Sequence, residues 1–346
     1  MKKCIYILAA ALAVAACAQN EEVNLAVSEE AQAPIFFETA PITKAYTKFD
    51  STFVFNSAAW HLAANKVWKT DFESGTKYIP ESEVSYTTDK VWRTAKPYYW
   101  TKDGSSLTFY SWSLNKKDLK FEDSATKAEI LQTVGVVVSD FNIVKDSATD
   151  FIVAVPAENR SANIKTYYTP GVPTLFQHML SKLTVKAVTD EDYSEYKKIV
   201  IEKITVKNVA SKADFQECQK NATTSEWEVI NRWTVKTGET YNPTIFDGEQ
   251  VVTDETSTLG GGLFIPQKFT DDQYMEITYE ITDLYSGVTE PMFVKIPMSQ
   301  ISSKTSTYGE FVPGTEYTVT LHFTFDLIYW DPAVENWDVQ GFTIER

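Results

Sequence analysis

Cysteine is scarce in this chain of 346 residues. It contains 3 cysteines, and because Cys4 and Cys17 lie close to the start, Cys218 stands alone in the rest of the sequence. A single thiol can form neither a disulfide framework nor a structural zinc site. We therefore interpret Cys218 as a small, unreactive side chain in a core or a loop.

Histidine is equally rare, and the motifs of common catalytic sites are missing. His61, His178 and His322 are far apart and lack the spacing of paired metal ligands, so we interpret His178 as a hydrogen-bonded structural imidazole. There is no G-x-S-x-G nucleophile motif and no D-x-D-x-D-G calcium loop. The sequence predicts no catalytic residue, no metal and no cofactor.

A glycine run at Leu259 to Gln267 lacks the features of a phosphate loop. No Lys-Ser/Thr pair follows the three glycines, and Pro266 disfavours a helix directly after them. We interpret the run as a turn or bulge that leads into an edge strand.

Basic residues are outnumbered by acidic ones. Lys and Arg total 32 against 47 Asp and Glu, which gives a formal net charge of −15. Such a surface repels phosphate backbones, which argues against nucleic acid as a partner. The acidic clusters at 190–192 and 271–272 are typical of solvated turns. Because the two carboxylates of a glycosidase converge from distant parts of a sequence, a surface glycoside hydrolase stays an alternative.

What the sequence does contain is material for β-sheets. Hydrophobic residues make up 43% and aromatic residues 14%, which is ample for burial in two domains of ordinary size. Near the middle, Leu183, Val185 and Ala187 alternate with Thr184 and Lys186, the pattern of a half-buried strand. Similar short runs recur on both sides. We predict an all-β protein with an N-terminal domain over 35–174 and a C-terminal domain over 175–346.

Other segments give more specific expectations. Residues 149–155 are apolar on both faces and predict a central strand, and the apolar phase of 199–208 changes at Glu202, which predicts a β-bulge. Residues 275–281 and 317–325 alternate cleanly. The aromatic runs at 97–100 and 107–112 flank a turn and predict a hairpin, with a sugar-stacking platform as the alternative role. A short helix is expected near 125–132.

The first residues form a leader. Lys2 and Lys3 precede an apolar run from Ile5 to Ala16, whose helix would reach about 18 Å, short of the roughly 30 Å hydrocarbon core of a bilayer. We therefore predict a signal peptide over 1–16. Residues 14–17 resemble the lipobox of bacterial lipoproteins, which implies that Cys17 is lipidated and anchors the chain to a membrane. The alternative is an ordinary signal peptide with a coincidental cysteine.

Residues 17–34 are polar and acidic without a period of 2 or 3.6, which predicts a flexible tether behind the lipidated cysteine. The acidic pair Glu21 and Glu22 resembles the surface-export signal of Bacteroidetes lipoproteins.

The run from Phe176 to Leu183, F-Q-H-M-L-S-K-L, resembles a segment of the fimbrillin-like proteins, the Mfa-like and FimA-like surface proteins of Bacteroidales. Further resemblances follow the order of that family along the chain, at residues 97–112, 149–155, 199–208, 263–267, 312–320 and 334–337.

This resemblance implies two tandem transthyretin-like, Greek-key β-sandwich domains and a subunit of a fimbria (type V pilus) on the outer membrane. Its partners would be other fimbrial subunits, the outer membrane through the lipid anchor, and a glycan or protein on a host or bacterial surface. A non-polymerising, glycan-binding surface lipoprotein is the alternative within the binding class.

In this family an N-terminal strand is removed by a trypsin-like protease. The resemblance implies that Ile35, Phe36 and Phe37 belong to this displaceable strand and that cleavage falls between Lys44 and Ala45. Lys44 stands where Arg is more usual, and the alternative is an exposed loop lysine. We expect Ile35, Phe36 and Phe37 to contribute side chains to the core of the first domain before processing. Loss of such a strand would then leave an apolar groove with unpaired backbone groups, which a strand from a neighbouring subunit can fill.

Overall fold

The computed structural model describes residues 33–41, 49, 51–114, 120–146, 150–162, 171–301, 309–324 and 328–336. The predicted signal peptide, the lipidation site Cys17 and the processing site at Lys44 and Ala45 lie outside these residues. No helix among the described residues is long and apolar enough to cross a membrane.

Strands dominate the described part of the chain. In the first half they are β1 (Phe37–Pro41), β2 (Val54–Leu62), β3 (Thr76–Tyr86), β4 (Trp92–Thr94), β5 (Ser106–Ser113), β6 (Lys127–Leu131), β7 (Gly135–Asn142), β8 (Ile152–Ala154), β9 (Ala157–Arg160) and β10 (Val172–His178). In the second half they are β11 (Ser181–Thr189), β12 (Lys197–Lys207), β13 (Val209–Ala210), β14 (Lys212–Lys220), β15 (Trp227–Val235), β16 (Thr240–Tyr241), β17 (Thr244–Val251), β18 (Ser257–Phe264), β19 (Tyr274–Asp283), β20 (Thr289–Pro297), β21 (Thr315–Phe323) and β22 (Ile328–Asn336). The helical pieces are α1 (Trp68–Asp71), a single 3-10 turn (Phe72–Ser74) and α2 (Met298–Ile301).

The N-terminal half contains a sheet that closes on itself. Its strand order is β2-β3-β4-β1-β10-β8-β5-β9, and β2 also pairs with β5, so that seven strands form a ring while β8 and β9 share one edge of β5. Every strand of the ring contributes buried side chains to one cluster. We call this cluster the ring core, and its larger members include Phe37, Phe55, Trp92, Phe109 and Phe176.

A second sheet, β15-β14-β7-β6, covers one side of the ring. Between them lies a cluster that we call the middle core, whose larger members include Trp60, Trp68, Tyr110, Phe141, Phe151 and Phe215. Strands β5 and β8 are buried on both faces, since Phe109 belongs to the ring core and the adjacent Tyr110 to the middle core. The β14–β15 hairpin follows residue 175 in sequence yet pairs with β7, while the division into two domains at that residue stays a prediction.

The rest of the C-terminal half is a β-sandwich. Its two sheets have the orders β18-β11-β21-β22 and β17-β12-β19-β20, and β13 and β16 form an additional two-stranded ribbon. Between the two sheets lies the C-terminal core, whose larger members include Ile201, Phe264, Met275, Phe311 and Tyr317. The predicted all-β class is confirmed.

Several strand predictions are confirmed in detail. β11 and β21 alternate strictly between buried and half-buried side chains, and β8 is buried throughout. The bulge expected near Glu202 appears as a register shift between Ile201 and Lys203 in both ladders of β12. The glycine run lies in β18, the edge strand of its sheet, and its ladder with β11 has a bulge between Val185 and Lys186.

Two local predictions are wrong. The helix expected near 125–132 is instead strand β6, because the segment pairs with β7 from Lys127 opposite Ser139 to Leu131 opposite Gly135. The predicted hairpin of 97–100 with 107–112 does not form. β5 pairs with β2, β8 and β9, whereas Tyr99 bridges to Pro34.

Candidate functional site

The candidate site is β1 together with the positions that it fills in the ring. Its sequence alternates, so that Ile35, Phe37 and Thr39 are 5%, 4% and 3% exposed, whereas Phe36 and Glu38 on the other face are half-buried. This is the period of 2 that a strand imposes on its side chains. The expectation of core burial is therefore confirmed for Ile35 and Phe37, and it is wrong for Phe36, whose ring lies on the opposite face.

One edge of β1 is paired along its whole length. It runs parallel to β10 from Phe37 beside Val172 to Pro41 beside Phe176. The Val172 N–H donates to the Phe36 carbonyl oxygen at 2.7 Å. Close approach here depends on Gly171, because a Cβ at that position would lie 3.1 Å from both the backbone nitrogen and the Cβ of Glu38.

The other edge of β1 is held much less firmly. Within the described residues, β1 meets β4 only where Phe37 lies opposite Trp92. The chain just before β1 adds two backbone bonds to the segment before β5: Ile35 N–H to Tyr98 O at 2.8 Å and Trp100 N–H to Ala33 O at 2.9 Å. β1 is thus the strand that closes the ring between β4 and β10, with a short ladder on one side.

Aromatic packing holds β1 from within the ring. The ring of Phe37 packs edge-to-face against Phe55 at 5.5 Å between centroids and against Phe109 at 5.8 Å. Such pairs stabilise by about 0.5–1.5 kcal/mol each beyond the area that they bury. Removal of β1 would leave an apolar groove between β4 and β10.

The predicted site residues fall into two groups. Ile35, Phe36 and Phe37 lie together on the segment that closes the ring, where the structure describes them. Cys17, Lys44 and Ala45 lie outside the described residues, so lipidation and processing stay predictions.

The histidines make structural contacts. His178, 4% exposed, has its Nδ1 2.8 Å from Asp150 Oδ1, and His322 Nδ1 is likewise 2.8 Å from Asp190 Oδ1. The prediction that His178 is a hydrogen-bonded structural imidazole is confirmed. The aromatic residues proposed as a sugar platform are mostly interior, since Trp100 and Trp112 are 5% and 4% exposed.

A cleft of about 520 Å³ is lined in part by the carboxylates of Glu81 and Asp123. Glu81 Oε1 accepts from Trp112 Nε1 at 2.9 Å, and its Oε2 accepts from Ile130 N–H at 3.0 Å. Asp123 Oδ2 accepts from Asn142 Nδ2 at 2.8 Å. Burial raises the pKa of Glu81. The bond from Ile130 attaches β6 to the ring, and the bond from Asn142 joins Asp123 to β7. The two carboxylates thus serve as structural acceptors.

The buried carboxyl of Glu217 on β14 was missed by sequence reasoning. It is 1% exposed, and its Oε2 accepts from the Val136 N–H at 2.8 Å. Burial raises the pKa of Glu217 from its ordinary value of 4.5 to about 8. The neighbouring Cys218 is fully buried, which agrees with the expected passive side chain, and burial raises the pKa of its thiol. The signal was in the sequence, since Glu217 is in phase with the apolar Ala213 and Phe215.

Known proteins share features of this sequence and this fold. A family model described as fimbrillin-like matches residues 57–337. No curated protein matches the chain. Among solved structures, a fimbrial protein from Bacteroides vulgatus is similar at a TM-score of 0.62 and 13% identity, over 88% of this chain and 99% of that one. A candidate cell adhesion protein from Bacteroides eggerthii is similar at a TM-score of 0.50 and 12% identity, over 90% and 97%. At these identities the likeness shows the fold alone.

Proposed function

The chain belongs to the fimbrillin-like family, and from that membership we propose that it is exported as a lipoprotein and assembled into a fimbria by strand replacement. The family assigns it the role of a fimbrial subunit or adhesin at the cell surface, with other fimbrial subunits as partners. In the proposed route, Cys17 anchors the precursor to the outer membrane. Cleavage after Lys44 then releases β1, and a strand from a neighbouring subunit takes its place.

The observation that supports this proposal best is the difference between the two edges of β1, which is fully paired with β10 but barely paired with β4. Its inward side chains are part of the ring core, yet its ladder with β4 contains a single pair, Phe37 with Trp92. Loss of the strand would expose apolar surface together with the unpaired backbone groups of β10. A sheet edge of this kind accepts an added strand from another chain, with backbone bonds for affinity and side-chain pockets for specificity.

The first test is the N-terminus of the surface-exposed mature protein. N-terminal sequencing and mass spectrometry should find a chain that begins at Ala45 in assembled material, and an acylated Cys17 in the precursor. Assembled fibres whose subunits all retain the blocked Cys17 and residues 35–41 would contradict strand replacement.

A pair of lysine variants sharpens this test. Lys44→Ala should retain residues 35–41 and give only monomers on gels of non-boiled samples, whereas wild type gives ladders. Lys48→Ala removes a neighbouring lysine from the same segment and should still give ladders. Ladders from Lys44→Ala with its N-terminal segment intact would show that assembly does not need cleavage.

A further inference from the structure

Among the three inward-facing side chains of the segment from Ile35 to Thr39, the last is chemically different. Ile35 and Phe37 are apolar and belong to the ring core, whereas Thr39 directs a hydroxyl to the same side. Thr39 is 3% exposed, and its Oγ1 has no hydrogen-bond partner among the residues that the structure describes.

The strand beside it offers a direct comparison. Thr39 lies in register with Thr174 of β10, which is 2% exposed and therefore as deeply buried. The Thr174 hydroxyl, however, donates to the Val172 carbonyl oxygen at 3.1 Å. Of these two adjacent, deeply buried threonines, Thr174 has a bonded hydroxyl and Thr39 does not.

A buried hydroxyl that has lost its water without gaining a partner disfavours the folded arrangement, whereas an apolar group of the same shape does not. Valine has the shape of threonine with a methyl group in place of the hydroxyl. The position beside Thr174 is therefore better suited to valine or another β-branched apolar side chain than to the threonine that occupies it.

We propose that the unpaired hydroxyl of Thr39 weakens the binding of β1 in its own groove. The groove would then prefer an incoming strand with an apolar β-branched residue at this register position. The proposal rests on the proposed function, because it concerns the strand that replaces β1. It specifies the partner as an extended segment with a large apolar residue at the Phe37 position and a valine-like residue two positions later. Replacement is then favoured by the mismatch at Thr39 as well as by cleavage.

The first experiment measures how tightly the intact chain holds β1. In the full chain, Thr39→Val should slow hydrogen exchange at the amides of β1 and at Val172 by about tenfold relative to wild type, which corresponds to about 1.4 kcal/mol. Thr174→Val is the matched control, because it removes a hydroxyl that is bonded, and it should give no such slowing. If Thr39→Val exchanges as fast as wild type or faster, the proposal is wrong.

The second experiment measures the preference of the groove. A specific protease site is placed between residues 41 and 49 of the full chain, which is then cut so that β1 is held by noncovalent contacts alone. Two fluorescent peptides of residues 33–41 are added, one with the native sequence and one with the substitution Thr39→Val, and their uptake is followed by anisotropy. The substituted peptide should bind about tenfold more tightly than the native one.

The outcomes separate the two proposals. Equal affinities of the two peptides overturn the preference at Thr39, whatever the exchange data show. If neither peptide enters while Thr39→Val still slows hydrogen exchange, strand replacement as a function fails, and the mismatch at Thr39 is supported.

Discussion

The imidazole of His178 and the carboxylate of Asp150 lie in contact, with 2.8 Å between Nδ1 and Oδ1. His178 ends β10 and lies opposite Ile152 of β8, so the contact joins two neighbouring strands of the ring at their ends. The His178 side chain is 4% exposed and that of Asp150 18%, which shields the contact from water.

Asp150→Ala should therefore destabilise the ring, because it takes away the Nδ1 partner of a buried imidazole. We expect a loss of about 1–3 kcal/mol in the free energy of unfolding, measured by urea denaturation. Asp89→Ala is the control, since the Asp89 side chain is 65% exposed and pairs with the exposed Arg93, at 3.1 Å from Nη2 to Oδ2. A loss for Asp150→Ala no greater than for the control would show that the contact contributes little.

The contribution of Glu217 to the stability of the folded state should fall as the pH rises from about 4.5 to about 8. Burial raises the pKa of Glu217 to about 8, so across this range the folded state holds a proton that the unfolded state has released. The stabilising contribution of Glu217 is thus fully present below the pKa that its carboxyl has in the unfolded state. It is lost as the pH rises through the pKa of about 8 in the folded state. Glu217→Gln removes the titration and keeps an acceptor for the Val136 N–H.

Urea unfolding at pH 5 and pH 8 tests this prediction. The variant should lose less stability than wild type between the two values, by a difference on the order of a few kcal/mol. An equal change in the free energy of unfolding between pH 5 and pH 8 for variant and wild type would contradict the role of Glu217.

Gly135→Ala should destabilise the protein more than an ordinary glycine replacement in a turn. Gly135 has φ of +67°, and a Cβ there would lie 2.4 Å from Glu217 Oε2. Gly238→Ala is the matched control, because φ is +81° and no atom lies within 4 Å of the added Cβ. Both variants bear backbone strain of about 1 kcal/mol, and thermal unfolding should show a further loss for Gly135→Ala alone. The prediction is wrong if the two variants have the same unfolding temperature.

Phe37→Ala should weaken the closure of the ring. The side chain is buried and packs edge-to-face on Phe55 and Phe109, so its loss should cost about 3–5 kcal/mol. Phe36→Ala changes the adjacent, half-buried ring on the other face and should cost clearly less. Hydrogen exchange at the Val172 amide, which bonds to the Phe36 carbonyl, reports the opening of β1 directly. Similar exchange rates in both variants would show that the inward face does not determine closure.

The period of 2 was sufficient to predict the strands that have one buried face. β11, β19 and β21 show it in the sequence because one side of each strand meets the C-terminal core. β12 was predictable down to its bulge, since the added residue shifts the apolar phase at Glu202.

The wrong predictions share a physical cause, which is pairing between distant segments. Tyr99 has its nearest aromatic run in 107–112, yet its bridge partner is Pro34, which precedes it by more than sixty residues. Residues 125–132 contain helix-favouring Lys, Ala and Glu, but the ladder with β7 overrides that local preference. Local reasoning also missed the β14–β15 hairpin, whose place is fixed by β7.

The candidate site was predictable only in part. The apolar run at Ile35 to Phe37 indicated a buried strand, and the family resemblance gave it a role. The sequence did not show that β1 closes a ring or that the Thr39 hydroxyl is unpaired, because both depend on β4 and β10 lying on either side of the strand. The position of Phe36 could have been predicted, because adjacent residues of a strand face opposite sides of the sheet.

The direction of β1 has a consequence for the shape of any assembly built through its groove. β1 runs parallel to β10, and a strand that reproduces its backbone bonds must point the same way. A contact of this kind joins two unlike surfaces, the strand of the donor subunit and the groove of the acceptor subunit. A two-fold axis cannot relate the two sides of such a contact. Subunits linked in this manner form a closed ring or an open row whose two ends differ. In an open row, the polarity of the fibre would already be fixed by one pair of neighbouring strands inside each subunit.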